Sequence, residues 1–284
     1  MDTLQIAVSG LALGSIYALI ALGVVIIVKA SDLVNFAHGE LVMVGAITAY
    51  IVRVGFQMPG LVAFLSAVAV TLGLGMLIER SAYRPLRLSP TINVVLASVA
   101  LSLLLQNAAL TFWDEDTHAY PALFSEDPVM FGQFRFIPQD WATIAAAVLC
   151  VLSFQLFFMR TRAGLAMRAV MLDRQTASLM GINVYRTIGN IFGVSAALGA
   201  AAGVLVAPLI QIHFSMGFIL VKAFAGACLG GIFSIPGAIV GGLLIGVTEG
   251  LVAAYVSAAY RDAIVYAVLI AALLFRPEGL LGRR

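Results

Sequence analysis

Asn35, His38 and Glu40 fall within six positions of one another in the stretch SDLVNFAHGELVMVGAITAY (Ser31 to Tyr50), between two long apolar runs. A carboxylate at the mouth of a membrane-embedded helix is costly unless it is paired, faces a cavity or is shielded by other helices. Two readings follow. Asn35 can cap a polar helix start near the headgroups, or Asn35, His38, Gly39 and Glu40 can belong to a transport path or its gate. Lys222 and Glu249 also lie within apolar runs. They can pair across helices, and Glu249 is the second carboxylate available to a path. His213, after Pro208, is placed at the outer interface.

Other chemistries lack their residues. No GxxxxGK[ST] loop occurs, and neither lysine, Lys29 nor Lys222, follows such glycines. The chain is therefore expected to bind no ATP itself. His38, His118 and His213 are far apart, without an HExxH or other metal signature, and no GxSxG elbow is present. Catalytic residues and a metal site are not expected. Cys150 and Cys228 both fall in apolar runs, where cysteine acts as a small hydrophobe, and they form no disulfide framework.

What must position these groups is a membrane. Of the 284 residues 62% are hydrophobic and 11% charged, against about 25% charged in soluble domains. Mean hydropathy is +1.06. At about 20 residues per span, the length holds about eight to ten spans and little else. The fold expected is an all-α polytopic membrane protein, one transmembrane domain over residues 1–284, with eight to nine helices, some broken or re-entrant. A net charge of +2 leaves no nucleic-acid footprint.

Nine spans can be drawn: Leu4 to Val28, the Ser31 stretch to about Val52, Leu61 to Ile78, Thr91 to Phe112, Trp141 to Met159, Thr187 to Val206, Gly217 to Phe233, Gly237 to Val256 and Ala263 to Phe275. The first is read as a retained span rather than a removable signal peptide. Gly10 and Gly14, and the pairs Gly226/Gly230, Gly237/Gly241 and Gly242/Gly246, make small-residue faces suited to close helix packing. The same Gly- and Pro-interrupted run can line a cavity, and its likeness to the 31–50 stretch hints at an internal repeat. Trp113, Tyr120 and Trp141 suit an interfacial aromatic belt. Twelve of the sixteen basic residues collect at Lys29, the 79–90 and 160–186 loops and the C-terminal tail. Those segments are assigned to the cytoplasm, and the acidic 113–140 loop to the outside.

Arg160 to Arg186 carries five arginines against one acid, Asp173. Gly164 to Gly181 reads as one or two short helices, with Asp173, Ala177 and Gly181 at four-residue intervals on one face. Leu165, Met167, Met171, Leu172, Leu179 and Met180 add apolar surface, which fits docking into a partner's groove better than lying on anionic lipid.

GSIYALIALGVVIIVKASDLVNFAHGELVMVGA (Gly14 to Ala46) closely resembles the N-terminal signature of the branched-chain amino acid ABC transporter permeases, the smaller H-type subunit. DRQTASLMGINVYR (Asp173 to Arg186) resembles that family's version of the loop permeases insert into the ATPase. The resemblance covers nearly the whole chain, and NFAHGE is specific to this family and its close relatives. The loop departs from the commoner Glu-Ala-Ala form in having Asp173 and Gln175-Thr176 before Ala177. It implies a subunit of an ATP-driven importer in the bacterial cytoplasmic membrane, with its C-terminus cytoplasmic. The implied partners are a second, M-type permease or another copy of this chain, two ATPase subunits that use ATP and Mg, and a soluble binding protein. Gly164, Asp173, Ala177 and Gly181 would couple the ATPases. The implied cargo is a branched-chain or other apolar amino acid, with urea or short-chain amides as the alternative. An ion-coupled secondary carrier using His38, Glu40 or Glu249 is the rival class, but it leaves the basic 160–186 loop without a task.

Overall fold

The computed structural model describes residues 3–87, 89–113, 116–122, 129–131, 134–257, 260–276 and 278–282. Asp114, Glu115, Glu126 and Asp127 of the acidic loop, and Arg283 and Arg284 of the tail, lie outside these. Among the described residues there are eleven α-helices: α1 (Thr3–Ser31), α2 (His38–Tyr50), α3 (Gly60–Ile78), α4 (Thr91–Phe112), α5 (Pro138–Arg160), α6 (Arg162–Leu172), α7 (Arg174–Leu179), α8 (Val184–Ile210), α9 (Ile219–Gly230), α10 (Ile235–Tyr255) and α11 (Arg261–Phe275). Among the described residues, extended pairing is limited to a small antiparallel hairpin of β1 (Val129–Phe131) with β2 (Phe134–Phe136) and an isolated bridge between His118 and Ile212.

Each of the nine expected spans has a helix. Six are long and apolar enough to cross a membrane, Met216–Gly230 is shorter, and α2 and α11 have 13 and 15 residues. The second span begins later than its sequence suggests. Residues 32–37 are not helical, α2 starts only at His38, and a π-helical turn, Ile51–Gly55, then carries the chain onward.

Burial sorts the helices. In α1, 89% of the spanning window is buried inside the protein, against 11% in α4. Leu96, Leu103 and Leu104 of α4 and Leu149, Leu152 and Leu156 of α5 face outward. In lipid such surfaces carry no drive to associate, so packing rests on small residues that let backbones approach. Gly10 and Gly14 of α1 meet α10 at Val247 and Leu243. A Cβ on Gly246 would collide with the Gly14 backbone, and one on Gly241 with Gly226 of α9. The glycine pairs read from the sequence are thus contact seams between antiparallel helices.

A second pattern is a long helix that breaks and returns as a shorter one. It occurs twice: α1, residues 32–37, α2; then α8, residues 211–215 and a 3₁₀ turn (Met216–Phe218) that runs into α9. Ser31 and Tyr185 line one cavity and Lys29 and Ser234 another, so the ends of α1 and α9 and the start of α8 share a face. Tyr50 at the end of α2 lies against His118, which pairs with Ile212 just after α8. The two short helices therefore leave toward opposite faces from a common start, where Gly39 of α2 abuts Gly217. Such half-helices are tolerated where protein surrounds the irregular backbone. Trp141 is exposed, whereas Trp113 packs on Tyr50 at 5.1 Å and Tyr120 is buried beneath Arg53.

Gly246→Leu is expected to lower the unfolding midpoint of the detergent-solubilised protein by an amount corresponding to about 1–3 kcal/mol or more, because the seam cannot open. Gly73→Leu, at a site with nothing within 4 Å, is expected to leave that midpoint unchanged or raise it.

Candidate functional site

The half-helix junction gathers Asn35, His38 and Glu40, but on different sides. Along a helix, positions two apart point about 200° from each other, and His38 and Glu40 obey this. His38 is fully buried, with its ring against Gly23 of α1 and Ser195 of α8. The Ser195 hydroxyl donates to Gly23 O at 2.8 Å. The imidazole Nδ1, 3.2 Å from Ser195 Oγ, is therefore the donor in that pair. Nε2 has no partner among the described residues. His38 and Glu40 do not form a pair.

Glu40 points the other way. Its Oε1 accepts from Ser102 of α4 at 3.0 Å, while Oε2 is buried without a partner among the described residues. The carboxylate rests on Gly217, where a Cβ would stand 2.5 Å from Oε1. Gly217 lies in the first turn of the Met216–Gly230 helix, whose positive dipole end favours a carboxylate. Glycine is needed there because any side chain would displace the acid. Asn35 is no N-cap of α2, since Ala37 holds that position without a side-chain bond. Its Oδ1 instead accepts from Ala37 N at 3.0 Å and from the Tyr83 hydroxyl at 2.6 Å.

Glu249 stands in a separate cluster. It accepts from Tyr17 at 2.7 Å and from Lys222 at 2.8 Å, and Arg261 Nε lies 3.0 Å away. Lys222 also reaches Asp262 at 2.8 Å. The expected Lys222–Glu249 pair is present, and with three partners Glu249 ties α1, α9, α10 and α11 together. His213 is half-buried just beyond α8, its Nδ1 3.3 Å from Gln211 O.

The 160–186 segment contains two short helices, but its four-residue spacing does not make one face. Asp173 ends α6 and caps α7, accepting from Gln175 N at 2.8 Å and Thr176 N at 3.2 Å. Ala177 is buried inside α7. Gly181, at φ 81°, lies beyond the end of α7, and Ile182 N closes back onto Ala177 O, the geometry of a glycine C-terminal cap. Asp173 and Gly181 are thus the two stops of α7. Gly164 allows the α5–α6 turn, since a Cβ there would collide with Phe158 O. Leu165, Leu172, Leu179 and Met180 are exposed, while Met167 is buried. The Thr176 hydroxyl, then the two amides, hold the Asp173 carboxyl below the usual range. The capping contribution is present above the ordinary carboxylate value and is lost as pH falls through the lowered one.

Arg174 pairs with Asp32, joining α7 to the break between α1 and α2. The pair helps line a cavity of about 780 Å³, together with Leu33, Tyr83, Val94, Ile188, Phe192 and the Arg87–Glu79 ion pair. Tyr83 thus links this cavity to Asn35 and the junction. Sequence reasoning missed Tyr17, Tyr83, Ser102, Ser195, Gly217 and the Asp32–Arg174 pair. Only the Ser98 and Ser102 spacing, one turn apart in an apolar helix, offered a signal. No group of His, Cys, Asp and Glu able to hold a metal occurs among the described residues.

Long buried helices around two half-helices, with polar side chains at their junction, define a polytopic helical membrane protein. The chain matches, over residues 6–273, the family described as branched-chain amino acid transport system / permease component. It is 38% identical to the high-affinity branched-chain amino acid transport system permease protein LivH of Escherichia coli (strain K12), over 99% of this chain and 96% of that one. It is also 38% identical to the corresponding BraD protein of Pseudomonas aeruginosa, with the same coverage. A probable LivH of Methanocaldococcus jannaschii is 27% identical over 94% of this chain and 89% of that one. The chain belongs to this permease family, and it is a transporter subunit rather than an enzyme.

Lys222→Met, which strands part of the Glu249 charge, is expected to destabilise the purified protein by about 3 kcal/mol, read from its unfolding midpoint. Asp173→Ala is expected to speed amide exchange at Gln175 and Thr176 at neutral pH and to leave α5 unchanged.

Proposed function

We propose that this chain is the membrane-spanning subunit of an ATP-driven importer that passes branched-chain or other apolar amino acids, delivered by a soluble binding protein, into the bacterial cytoplasm. The observation that carries the reading is the near-full-length identity to permeases of that name. In this reading the basic loops and the C-terminus are cytoplasmic. Two ATPase subunits, which hold the ATP and Mg, dock against Leu172, Leu179 and Met180 around α7. A second permease, of the M type or a copy of this chain, completes the path.

The geometry suits such coupling. Movement of α7 acts through Arg174 on Asp32, hence on the break that leads to Asn35, His38 and Glu40. The free oxygen of Glu40 is suited to an ammonium group, so Glu40 acts as a path residue. The cavity beside Tyr83 is lined by paired charges and apolar side chains, which suits the exit of a zwitterion with an apolar side chain. Glu249 holds helices together rather than meeting cargo. No cofactor belongs to this chain.

Affinity purification of the tagged chain from gently solubilised membranes should bring along two ATPase subunits and a second permease. Reconstituted with them and the binding protein, it should take up labelled leucine only with ATP; uptake driven by an ion gradient without ATP would overturn the proposal. Glu40→Gln is expected to lower uptake about tenfold with the complex still assembled. Gly181→Val, strained at positive φ, is expected to reduce ATPase co-purification, whereas Gly181→Asn, which tolerates that conformation, should retain it.

A further inference from the structure

At the face where α1 ends, α1 forms the floor of a second cavity of about 780 Å³, walled by α5 on one side and by the start of α10 on the other. Along α1 it runs from Leu22 to Lys29 at the helix end, and along α5 from Val151 past Phe154 and Gln155 to Met159, with Ser234 and Ile239 on the far wall. Leu22 and Lys29 are seven residues apart on one helix, about 10 Å. The groove thus runs along much of one leaflet, whose hydrocarbon is about 15 Å thick.

The charge at the mouth has one sign. Lys29 has no carboxylate partner among the described residues, and no acidic residue lines the groove. Arg168 adds a second cation. It donates to Met159 O at 3.3 Å and lies over the ring of Phe158, also a lining residue. The Ser234 hydroxyl accepts from Gly237 N at 3.1 Å, which leaves its own proton free to donate. No carboxylate lines the groove to meet an amino acid's ammonium.

We propose that this groove binds an anionic phospholipid, with its phosphate between Lys29, Arg168 and Ser234 and one acyl chain along Leu22, Val151 and Ile239. Cations at the mouth of an apolar cleft between membrane helices give that selectivity. The lipid fills a gap between α5 and α10 that side chains leave open, so it also stabilises the fold.

The test titrates delipidated, detergent-solubilised full-length protein with phosphatidylglycerol and, separately, with phosphatidylcholine of the same acyl chains, reading bound lipid by native mass spectrometry and the unfolding midpoint. Phosphatidylglycerol should bind and raise the midpoint, and phosphatidylcholine should do so much less. Lys29→Gln should weaken phosphatidylglycerol binding about fivefold, Lys29→Arg should restore it, and Ile239→Trp should weaken it without changing charge. Equal binding of the two lipids, or unchanged binding in both Lys29→Gln and Ile239→Trp, would overturn the proposal. A midpoint shift of the same size from glycerol phosphate alone would also overturn it, showing an anion site without a lipid.

Discussion

Inside a bilayer no water satisfies a backbone that leaves the helix, so irregular chain must be wrapped in protein. This constraint explains why α1 and α8, which precede the two breaks, are the most buried of the long helices. It also explains the glycine at the junction. Two half-helix starts and a carboxylate have to share one small volume, and only Gly39 and Gly217 leave room. The outer helices α3, α4 and α5 meet no such demand and present leucine to the lipid.

Charge placement follows the same economy. Glu40 is set against a helix start and a hydroxyl, Glu249 against two cations and a phenol, and Glu79 against Arg87. Each buried acid is met locally, but in different ways. Glu249 has its partners on three other helices and is held fast. Glu40 keeps one oxygen unengaged among the described residues.

Much of this was legible from composition. Hydropathy located nine helical segments, and four-residue glycine spacing located the seams, because membrane packing leaves a direct mark on residue size. Periodicity failed where the helix itself stopped. The spacing of Asp173, Ala177 and Gly181 describes a face only if α7 is continuous across it, but Asp173 and Gly181 are its two ends. Proximity in sequence also misled at His38 and Glu40, since two positions on one helix diverge. Tyr83 and Ser102 could not be assigned because their roles depend on contacts 48 and 62 residues away.

The order of synthesis gives the central position of α1 a further meaning. It is made before α8, α9 and α10, the helices that bury it. Until then it must persist in lipid without its partners. Its hydropathy of 2.7 is the highest of the six long spans, high enough for a lone helix to remain inserted. The side chains that later form the protein's core thus first serve as its solvent-facing surface, the solvent being hydrocarbon. A polar substitution on α1 would therefore act twice, once on insertion and again on assembly.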